Sequence, residues 1–320
     1  MDIDLNVLRV IEREREIPLE TLIELIEQAL FLAYQKTEGA WPDARAELDK
    51  STGEVRILAV EFDNDDNPIG EFDDTPTGFG RIAAQTARQV IHQRLRDVED
   101  ETLLGTFKGR EGEIVSGIIQ QGRDPQMVQV DIGDVEAVLP PHEQVPGEAY
   151  NHGTRLRVYI ADVHKGTKGT SVTVSRTHPN LVRRLFAHEA PEIADGTVEI
   201  VSLAREAGHR TKLAVRATKP GVNAKGSCIG ELGSRVRAVM NELGQEKIDI
   251  VDYSDDPAKF IAHALSPAKA KSVEILDAAA QESRAVVPTD QLSLAIGKEG
   301  QNARLAAKLT GWKIYIVAGE

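Results

Sequence analysis

Residues 229–233 (Ile-Gly-Glu-Leu-Gly) and residues 296–300 (Ile-Gly-Lys-Glu-Gly) carry the same short pattern twice in the last third of the chain. Residues 247–251 (Lys-Ile-Asp-Ile-Val) are likewise matched by residues 313–317 (Lys-Ile-Tyr-Ile-Val). The two glycines of the first pattern recur 67 positions later as Gly297 and Gly300, and so do two further residues: Gly230, Gly233, Arg237 and Gly244 match Gly297, Gly300, Arg304 and Gly311. This internal repeat indicates the architecture of the region, because each copy of a repeat forms one structural unit.

The hydrophobic pattern around each glycine pair predicts the same elements in both copies: helix, strand, strand, short helix, glycine turn, longer helix and strand. Upstream, residues 198–200 (Val-Glu-Ile) match residues 273–275 (Val-Glu-Ile) at a wider offset of 75 positions. We therefore expect the first copy to be longer between its strands and its glycine turn.

The glycine turn itself favours an anionic ligand. A helix that ends at one glycine, followed by a helix that begins past another, leaves backbone N–H groups without partners. Since glycine has no Cβ, a sugar-phosphate chain can approach closely, and the dipole of the second helix favours its charge. The KH loop clamps about four nucleotides in this way. A single turn more often joins two packed helices, but two copies in the same context favour an RNA-binding surface.

The residues around the two turns predict loops of unequal strength. The middle pair of the first turn is Glu231 and Leu232, which supplies no cation. The positive field for phosphate would therefore have to come from Lys225, Arg235 and Arg237.

The second turn has a cation of its own, Lys298, which Glu299 partly offsets. Gln301, Asn302 and Arg304 follow in the next helix, where amide and guanidinium groups can read base edges. For Arg304 the alternative is a solvated surface residue. We expect the second loop to bind RNA more strongly. The predicted RNA-binding residues are Lys225, Gly230, Glu231, Leu232, Gly233, Arg235, Arg237, Gly297, Lys298, Glu299, Gly300, Gln301 and Arg304.

The first third of the chain is predicted to be an α/β domain. Apolar residues at three- and four-residue steps predict an amphipathic helix over residues 18–36. Residues 44–48 and 55–59 flank a glycine-containing connection and predict a hairpin. Residues 61–74 are strongly acidic and predict a loop, and residues 82–98 restore a helical stripe.

The middle of the chain is predicted to be a small β-barrel of the OB class, because it holds short strands broken by glycine and proline. Its aromatic residues are Phe107, Tyr150 and Tyr159, too few for strong stacking on RNA. Aromatic residues in the last third are also too few for an RRM. The predicted strands cover residues 113–119, 127–132, 135–139, 155–163 and 171–174.

The composition excludes several classes of protein. In 320 residues, 41% of them hydrophobic, no apolar run approaches the roughly 18 residues that a membrane span needs. The N-terminus lacks the order of an export signal, so we expect a soluble, cytoplasmic protein with no membrane partner. The single cysteine, Cys228, excludes an intrachain disulfide and a thiolate zinc site, and we expect it to be a small packing residue.

The net charge of −13 is divided unevenly along the chain. Residues 1–100 carry 11 basic and 23 acidic side chains, residues 101–200 carry 10 and 14, and residues 201–320 carry 17 and 14. Such asymmetry is typical of a chain with an acidic partner-binding part and a nucleic-acid-binding part. Solubility alone is the alternative explanation.

An acidic cluster offers the enzymatic alternative, a metal-dependent nuclease. The spacing of its carboxylates lacks the calcium-loop pattern, which favours a solvated loop or a partner surface. The chain has neither a nucleotide-binding phosphate loop nor a hydrolase motif, so we expect no catalytic residue, cofactor or metal. The members of the cluster are Asp63, Asp65, Asp66, Glu71, Asp73 and Asp74.

Three stretches give the whole chain a resemblance to the NusA family of bacterial transcription elongation, termination and antitermination factors. They are residues 292–307 (Leu-Ser-Leu-Ala-Ile-Gly-Lys-Glu-Gly-Gln-Asn-Ala-Arg-Leu-Ala-Ala), residues 175–186 (Ser-Arg-Thr-His-Pro-Asn-Leu-Val-Arg-Arg-Leu-Phe) and residues 204–208 (Ala-Arg-Glu-Ala-Gly). The resemblance implies an α+β multidomain fold: an N-terminal RNA polymerase-binding domain, an S-one barrel of the OB class, and two tandem type-II KH domains. The expected bounds are residues 1–104, 105–176, 177–252 and 253–320.

The resemblance further implies a non-catalytic, RNA-binding transcription factor. It would associate with the RNA polymerase core and nascent single-stranded RNA, and modulate pausing, termination and antitermination, with other antitermination factors as further candidate partners. Family RNA-binding roles fall on Gly230, Gly233, Gly297, Lys298, Gly300, Gln301 and Arg304. The alternative is a ribosomal-RNA-binding or ribosome-assembly factor that uses the same KH surface.

Two departures from the family pattern carry expectations of their own. Family members often have a basic or neutral pair in the first loop, so Glu231 predicts weaker phosphate binding there. Some members have acidic C-terminal repeats, which do not follow the second KH strand here. We therefore expect no autoinhibition by such repeats.

Overall fold

The computed structural model describes residues 3–15, 17–62, 68–122, 124, 126–166 and 169–319. The chain divides into two compact units, Met1–Thr102 and Leu103–Glu320.

The first unit packs helices against a three-stranded antiparallel sheet of order β1-β2-β3. Leu22, Ile26 and Leu30 of its second helix are buried against Leu48 and Ile57 of the sheet, and each such side chain contributes about 1.5–3 kcal/mol by leaving water. Its elements are α1 (Leu5–Arg15), α2 (Leu19–Tyr34), β1 (Ala44–Leu48), β2 (Val55–Phe62), β3 (Pro68–Asp73) and α3 (Phe79–Lys108), whose last residues belong to the second unit.

The predicted helix over residues 18–36 is confirmed by α2, and the hairpin by the pairing of β1 with β2. The acidic loop over residues 61–74 is wrong in part, because residues 68–73 form β3 and pair with β2. Residues 63–67 lie outside the described residues. In β3 the half-buried Phe72 lies between Glu71 and Asp73, and pairing with β2 outweighs the low strand propensity of these two acidic residues.

The second unit begins with a closed five-stranded barrel of order β4-β5-β6-β8-β7. Val130, Val158 and Val174 are fully buried inside it, and Phe107 from the end of α3 joins the same core. All five predicted strands are confirmed: β4 (Ile114–Gln120), β5 (Val128–Asp131), β6 (Glu136–Leu139), β7 (Arg155–Gly166) and β8 (Gly169–Ser175).

The first repeat copy, called KH1 below, follows the barrel. Its sheet has the order β11-β10-β9, with β10 antiparallel to β9 and parallel to β11. Helices cover the face that carries Leu213, Val215 and Ile250, which we call the inner face. The elements are α4 (Pro179–Glu189), α5 (Pro191–Ala194), β9 (Val198–Glu206), β10 (Arg210–Ala217), α6 (Ala224–Ile229), α7 (Ser234–Glu242) and β11 (Lys247–Asp252).

The second copy, KH2, repeats this arrangement with the sheet order β12-β13-β14. The predicted order of elements is therefore confirmed in both copies. Its elements are α8 (Pro257–Ala264), β12 (Ser272–Asp277), β13 (Glu282–Pro288), α9 (Leu292–Ile296), α10 (Gln301–Thr310) and β14 (Lys313–Gly319).

The upstream match between residues 198–200 and residues 273–275 is wrong as a structural equivalence. Val273 pairs with Ala285 in KH2, whereas the residue in the equivalent pair of KH1, opposite Leu213, is Leu203. The Val-Glu-Ile segment of KH1 thus lies five residues before the strand position that the same segment occupies in KH2. β9 is longer than β12, and its extra residues lie at the start of the strand.

KH1 and KH2 share a core. On the outer face of the KH1 sheet, Ala204, Ala214 and Val251 belong to one buried cluster with Phe260 of α8 and Leu305 of α10. This apolar contact joins the two repeats.

A buried cation reinforces this junction. The fully buried Lys212 donates from Nζ to Oδ2 of Asp249 at 2.8 Å and to the carbonyl of Ser266, just past α8, at 2.5 Å. A buried ammonium is costly unless it is paired and hydrogen-bonded, and both conditions hold here.

The barrel is joined to KH1 by Arg176, which is almost fully buried. Its guanidinium bonds the carboxylate of Glu148 and, at 2.8 Å each, the carbonyl oxygens of Arg157 and Glu242. Removing one partner of a buried ion pair costs about 3–5 kcal/mol, so this junction holds the barrel and KH1 together.

Candidate nucleic-acid interface

The two glycine turns, the first loop (Gly230–Gly233) and the second loop (Gly297–Gly300), have the same backbone conformation. The opening glycines have φ/ψ of 75°/172° and 78°/170°, and the closing glycines 75°/19° and 73°/12°. The opening glycines have a conformation that only glycine adopts readily, and the closing glycines lie in the left-handed region that favours glycine. The sequence repeat is therefore a geometric repeat as well.

The opening glycine of each loop is also required by packing. A Cβ on Gly230 would lie 2.6 Å from Cγ of Arg235, and a Cβ on Gly297 would lie 2.8 Å from the backbone N of Asn302. The close approach brings the start of the following helix directly against the loop.

The closing glycine leaves space for a ligand, and more so in the second loop. A Cβ on Gly300 would meet nothing within 4 Å, whereas a Cβ on Gly233 would lie 3.2 Å from Nη1 of Arg237. The backbone of the second loop is therefore open at the corner where a phosphate would approach.

The middle of each loop is strained. Leu232 and Glu299 have φ of 50° and 52°, in the left-handed region that costs a residue with a side chain about 1–2 kcal/mol. Leu232 is 87% exposed, so burial of its side chain does not offset the strain. Strain of this kind clusters at ligand-binding loops.

The strained middle also leaves donors free. The backbone N–H groups of Glu231 and Leu232 in the first loop, and of Lys298 and Glu299 in the second, have no backbone acceptor within the described ranges. Free N–H groups at the start of a helix can bind an anion.

The predicted cations of the first loop differ in availability. Arg237 is exposed and has no hydrogen-bond or ion-pair partner among residues that the structure describes. Arg235 is engaged: its Nη1 donates to Oε2 of Glu192 at 2.7 Å and to the carbonyl of Ser227 at 2.6 Å. Arg237 is thus the unpaired cation beside the first loop among the described residues, whereas the side chain of Arg235 packs against Gly230 of that loop.

Lys225 lies away from the turn, in a cleft between KH1 and KH2 of about 310 Å³. The same cleft is lined by Lys269 and His263, while Asp252 contributes one carboxylate. Lys225 and Lys269 make the cleft basic and place a second cation where only one was predicted.

The second loop has one free cation, Lys298, which is exposed and without a partner among the described residues. Gln301 and Arg304 are both held by Glu206 of KH1: Nε2 of Gln301 donates to its Oε2 at 2.8 Å and Nε of Arg304 to its Oε1 at 2.6 Å. The bond from Arg304 lowers the pKa of Glu206. An anionic ligand would therefore have to displace Glu206 to reach either side chain.

Asn302 was predicted to read base edges, and that prediction is wrong. Its side chain is almost fully buried, and Nδ2 donates to the carbonyls of Leu265 at 3.0 Å and Ala295 at 2.9 Å. Asn302 instead holds the start of α10 against α9 and the end of α8.

Glu206 and Lys269 were not predicted, although both lie beside the predicted residues. Glu206 lines a cavity of about 470 Å³ between KH1 and the second loop, together with His209, Lys298 and Arg304. The only sequence signal for Glu206 was its place in residues 204–208, one of the stretches that carry the family resemblance.

The members of the acidic cluster that the structure describes make hydrogen bonds and an ion pair within the first unit. Glu71 pairs with Arg45 at 3.0 Å, Asp74 accepts from Tyr34 at 2.5 Å, and Asp73 accepts from Thr75. Asp63, Asp65 and Asp66 lie outside the described residues. Within the described ranges, no group of three or more His, Cys, Asp or Glu side chains is placed to hold a metal ion.

The remaining predicted features are Cys228 and the three aromatic residues of the barrel, and most of these side chains are buried. Cys228 is fully buried in the KH1 core, which confirms its packing role, and burial raises the pKa of its thiol to about 12. Of the barrel aromatics, Phe107 and Tyr159 are buried and Tyr150 is half-buried. None of the three presents a freely exposed ring for stacking on a base.

A five-stranded barrel followed by two packed KH folds with identical Gly-X-X-Gly loops defines the class of tandem KH, RNA-binding proteins. The NusA-like first KH domain matches residues 176–253, the NusA-like second KH domain residues 257–320, and the NusA N-terminal domain residues 5–69 and 59–101. The chain belongs to the NusA family.

Curated relatives match nearly the whole of this chain. The transcription termination/antitermination protein NusA of Mycobacterium tuberculosis is 58% identical over 99% of this chain and 93% of its own. Those of Bacillus subtilis and Thermus thermophilus are 46% and 39% identical, over 98% and 96% of this chain and 90% and 87% of theirs. Among the helices that the structure describes, none has the length and hydropathy needed to cross a membrane.

Proposed function

We propose that this protein is an RNA-binding transcription factor that associates with RNA polymerase and nascent RNA to modulate pausing, termination and antitermination. The observation that carries the proposal is the pair of strained loops with one backbone conformation, on two KH folds that share a core. A single-stranded RNA can then contact both loops, and the second contact is intramolecular, which raises the overall affinity.

RNA is proposed to contact the loops and the residues that flank them. Lys298 and Arg237 supply free cations, and Lys225 lies in the cleft between the repeats. Arg235 is proposed to position the first loop, while Gln301 and Arg304 would contact RNA after release from Glu206. The full proposed set is Lys225, Gly230, Glu231, Leu232, Gly233, Arg235, Arg237, Gly297, Lys298, Glu299, Gly300, Gln301 and Arg304.

The N-terminal unit is proposed to bind the RNA polymerase core. Two features support this: the acidic excess of residues 1–100, and exposed apolar side chains, which mark protein-binding surfaces where they cluster. Among them are Leu32, Trp41 and Ile69, with Ile69 60% exposed. We propose domain bounds of 1–104, 105–176, 177–252 and 253–320.

The protein would act in the cytoplasm, without catalysis, cofactor or metal. Other antitermination factors are proposed as further partners. The names of the curated relatives favour transcription over the ribosomal alternative.

The test uses the full chain with purified core polymerase on a template with a pause site and an intrinsic terminator. Pause lifetime and readthrough are measured with the wild type, the double variant Arg237→Gln/Lys298→Gln, and the control Lys308→Gln, which removes an exposed cation of α10. The proposal predicts that the double variant still binds polymerase but changes pausing and readthrough less, while the control behaves like the wild type. A double variant with the full wild-type effect would contradict it.

A further inference from the structure

The sheets of KH1 and KH2 differ in what covers their outer faces. In KH1 this face is buried beneath α8 and α10 of KH2, where Ala204, Ala214 and Val251 join the core of those helices. In KH2 the equivalent face is open to solvent: Tyr315 is 48% and Val317 is 38% exposed. The covered KH1 face thus shows that helices can pack on the outer face of this kind of sheet.

Strand registers give the equivalent positions. Arg210 pairs with Lys247 in KH1, as Glu282 pairs with Lys313 in KH2. Counting along the strands from these pairs gives four equivalences between the two outer faces. Lys212, Ala214, Asp249 and Val251 of KH1 correspond to Arg284, Val286, Tyr315 and Val317 of KH2.

On its two parallel strands, β13 and β14, the open face is more apolar than the covered one, whereas on β12 Glu274 lies where KH1 has Ala204. Ala214 is replaced by Val286 and Asp249 by Tyr315, and both substitutions add apolar surface where KH1 has a small or charged side chain. A sheet face that is only solvated would be expected to carry polar residues instead. The uncovered apolar surface therefore points to an absent partner.

The charges on this face argue for protein rather than RNA. Arg284 pairs with Glu274 at 3.4 Å, and Lys313 pairs with Glu282 at 3.1 Å. Each cation is matched by a carboxylate, so the face offers phosphates little net attraction.

We infer that the outer face of the KH2 sheet, formed by Arg284, Val286, Tyr315 and Val317, binds an amphipathic helix of a partner protein. The apolar stripe of that helix packs on Val286, Tyr315 and Val317, as Leu305 of α10 packs on the KH1 face. In KH1 the amine of Lys212 bonds the carbonyl of Ser266 just past the end of α8. Arg284, at the equivalent position, donates to the last carbonyls of the docked helix.

The partner is sought in the purified elongation complex, so the inference rests on the proposed function. The photoreactive substitution Tyr315→benzoylphenylalanine is placed in the full chain, with Lys308→benzoylphenylalanine, at an exposed position of α10, as the matched control. The complex contains core polymerase and a labelled RNA carrying a crosslinkable base. Crosslinks from position 315 are mapped at low and high salt.

We expect position 315 to crosslink to a helical segment of a polymerase subunit. The crosslink yield should be roughly tenfold higher than from position 308. It should not change with salt, because the contact is apolar. A second variant, Tyr315→Thr/Val317→Thr, is made in the chain without the photoreactive residue, and threonine is chosen because it favours strands. We expect it to bind the complex roughly tenfold more weakly and to bind free RNA with unchanged affinity.

Three outcomes would overturn the inference: a crosslink from position 315 to RNA, a crosslink to a second copy of this chain, or no crosslink above the control. Crosslinks from the labelled RNA show whether the helix-binding face alone is wrong or whether the proposed function is wrong as well. If RNA still crosslinks to KH1 and KH2, the proposed function stands and only the helix-binding face is lost. If neither RNA nor polymerase crosslinks to the chain, the proposed function fails.

Discussion

The first and second loops share one backbone conformation but have different surroundings. Beside the first loop Arg237 is free, and Glu231 adds a negative charge within the turn. In the second loop Lys298 is part of the turn and Gly300 faces open space, but Gln301 and Arg304 are held by Glu206. The glycines therefore give both loops their shape, whereas the neighbouring side chains set how strongly each loop can attract phosphate.

The difference between opening and closing glycines predicts the largest effect. Gly297→Ala places a Cβ 2.8 Å from the backbone N of Asn302, which cannot move without shifting α10. We expect it to lower the free energy of unfolding by about 3 kcal/mol, and Gly300→Ala by only about 1 kcal/mol, because open space leaves just the cost of positive φ. Denaturant unfolding followed by circular dichroism measures both, and equal losses would show that the close approach is unimportant.

The free cations predict the next largest effect. Lys298→Gln is expected to weaken binding of a single-stranded RNA by roughly tenfold and to reduce the slope of log affinity against log salt by about 0.7. Arg237→Gln in the first loop should cost less, roughly threefold, because Glu231 already opposes phosphate there. Fluorescence anisotropy at several salt concentrations measures both. A steeper loss for Arg237→Gln would reverse the order of the loops.

The smallest expected effect concerns pH and Glu206. Because its pKa is lowered by the bond from Arg304, its stabilising contribution is present above the unfolded value of about 4.3 and is lost as pH falls through the lower folded value. Arg304 is 47% exposed, so solvent screening keeps this contribution below about 1 kcal/mol. Unfolding of Glu206→Gln and the wild type is compared at pH 7 and pH 3. The difference between the two should be larger at pH 7 than at pH 3, because protonation of Glu206 removes its bond from Arg304, and a difference that does not change with pH would contradict this role of Glu206.

Features set by local sequence were predicted well. The barrel strands, the hairpin of the first unit and both glycine turns depend on alternation and glycine spacing, which are visible within a few residues. The burial of Asn302 could have been predicted from the sequence. At helical spacing it falls on the same stripe of α10 as the buried residues Leu305, Ala306 and Leu309.

Long-range contacts were beyond the sequence. Glu206 binds residues 95 and 98 positions later, so no local pattern connects them. β3 was missed because its strand character comes from pairing with β2, not from the propensity of its acidic residues. The unequal covering of the two outer sheet faces likewise depends on how KH1 and KH2 pack.

The central claim is that both loops bind one RNA and that the second loop contributes more. The most direct measurement compares Gly233→Asp with Gly300→Asp in the full chain, by equilibrium binding of one single-stranded RNA at fixed salt, after circular dichroism confirms that both variants are folded. Each variant places a carboxylate at the same corner of the same turn. We expect both variants to weaken RNA binding, and Gly300→Asp to weaken it more. A larger loss from Gly233→Asp would contradict the ranking, and unchanged binding in both variants would contradict the claim itself.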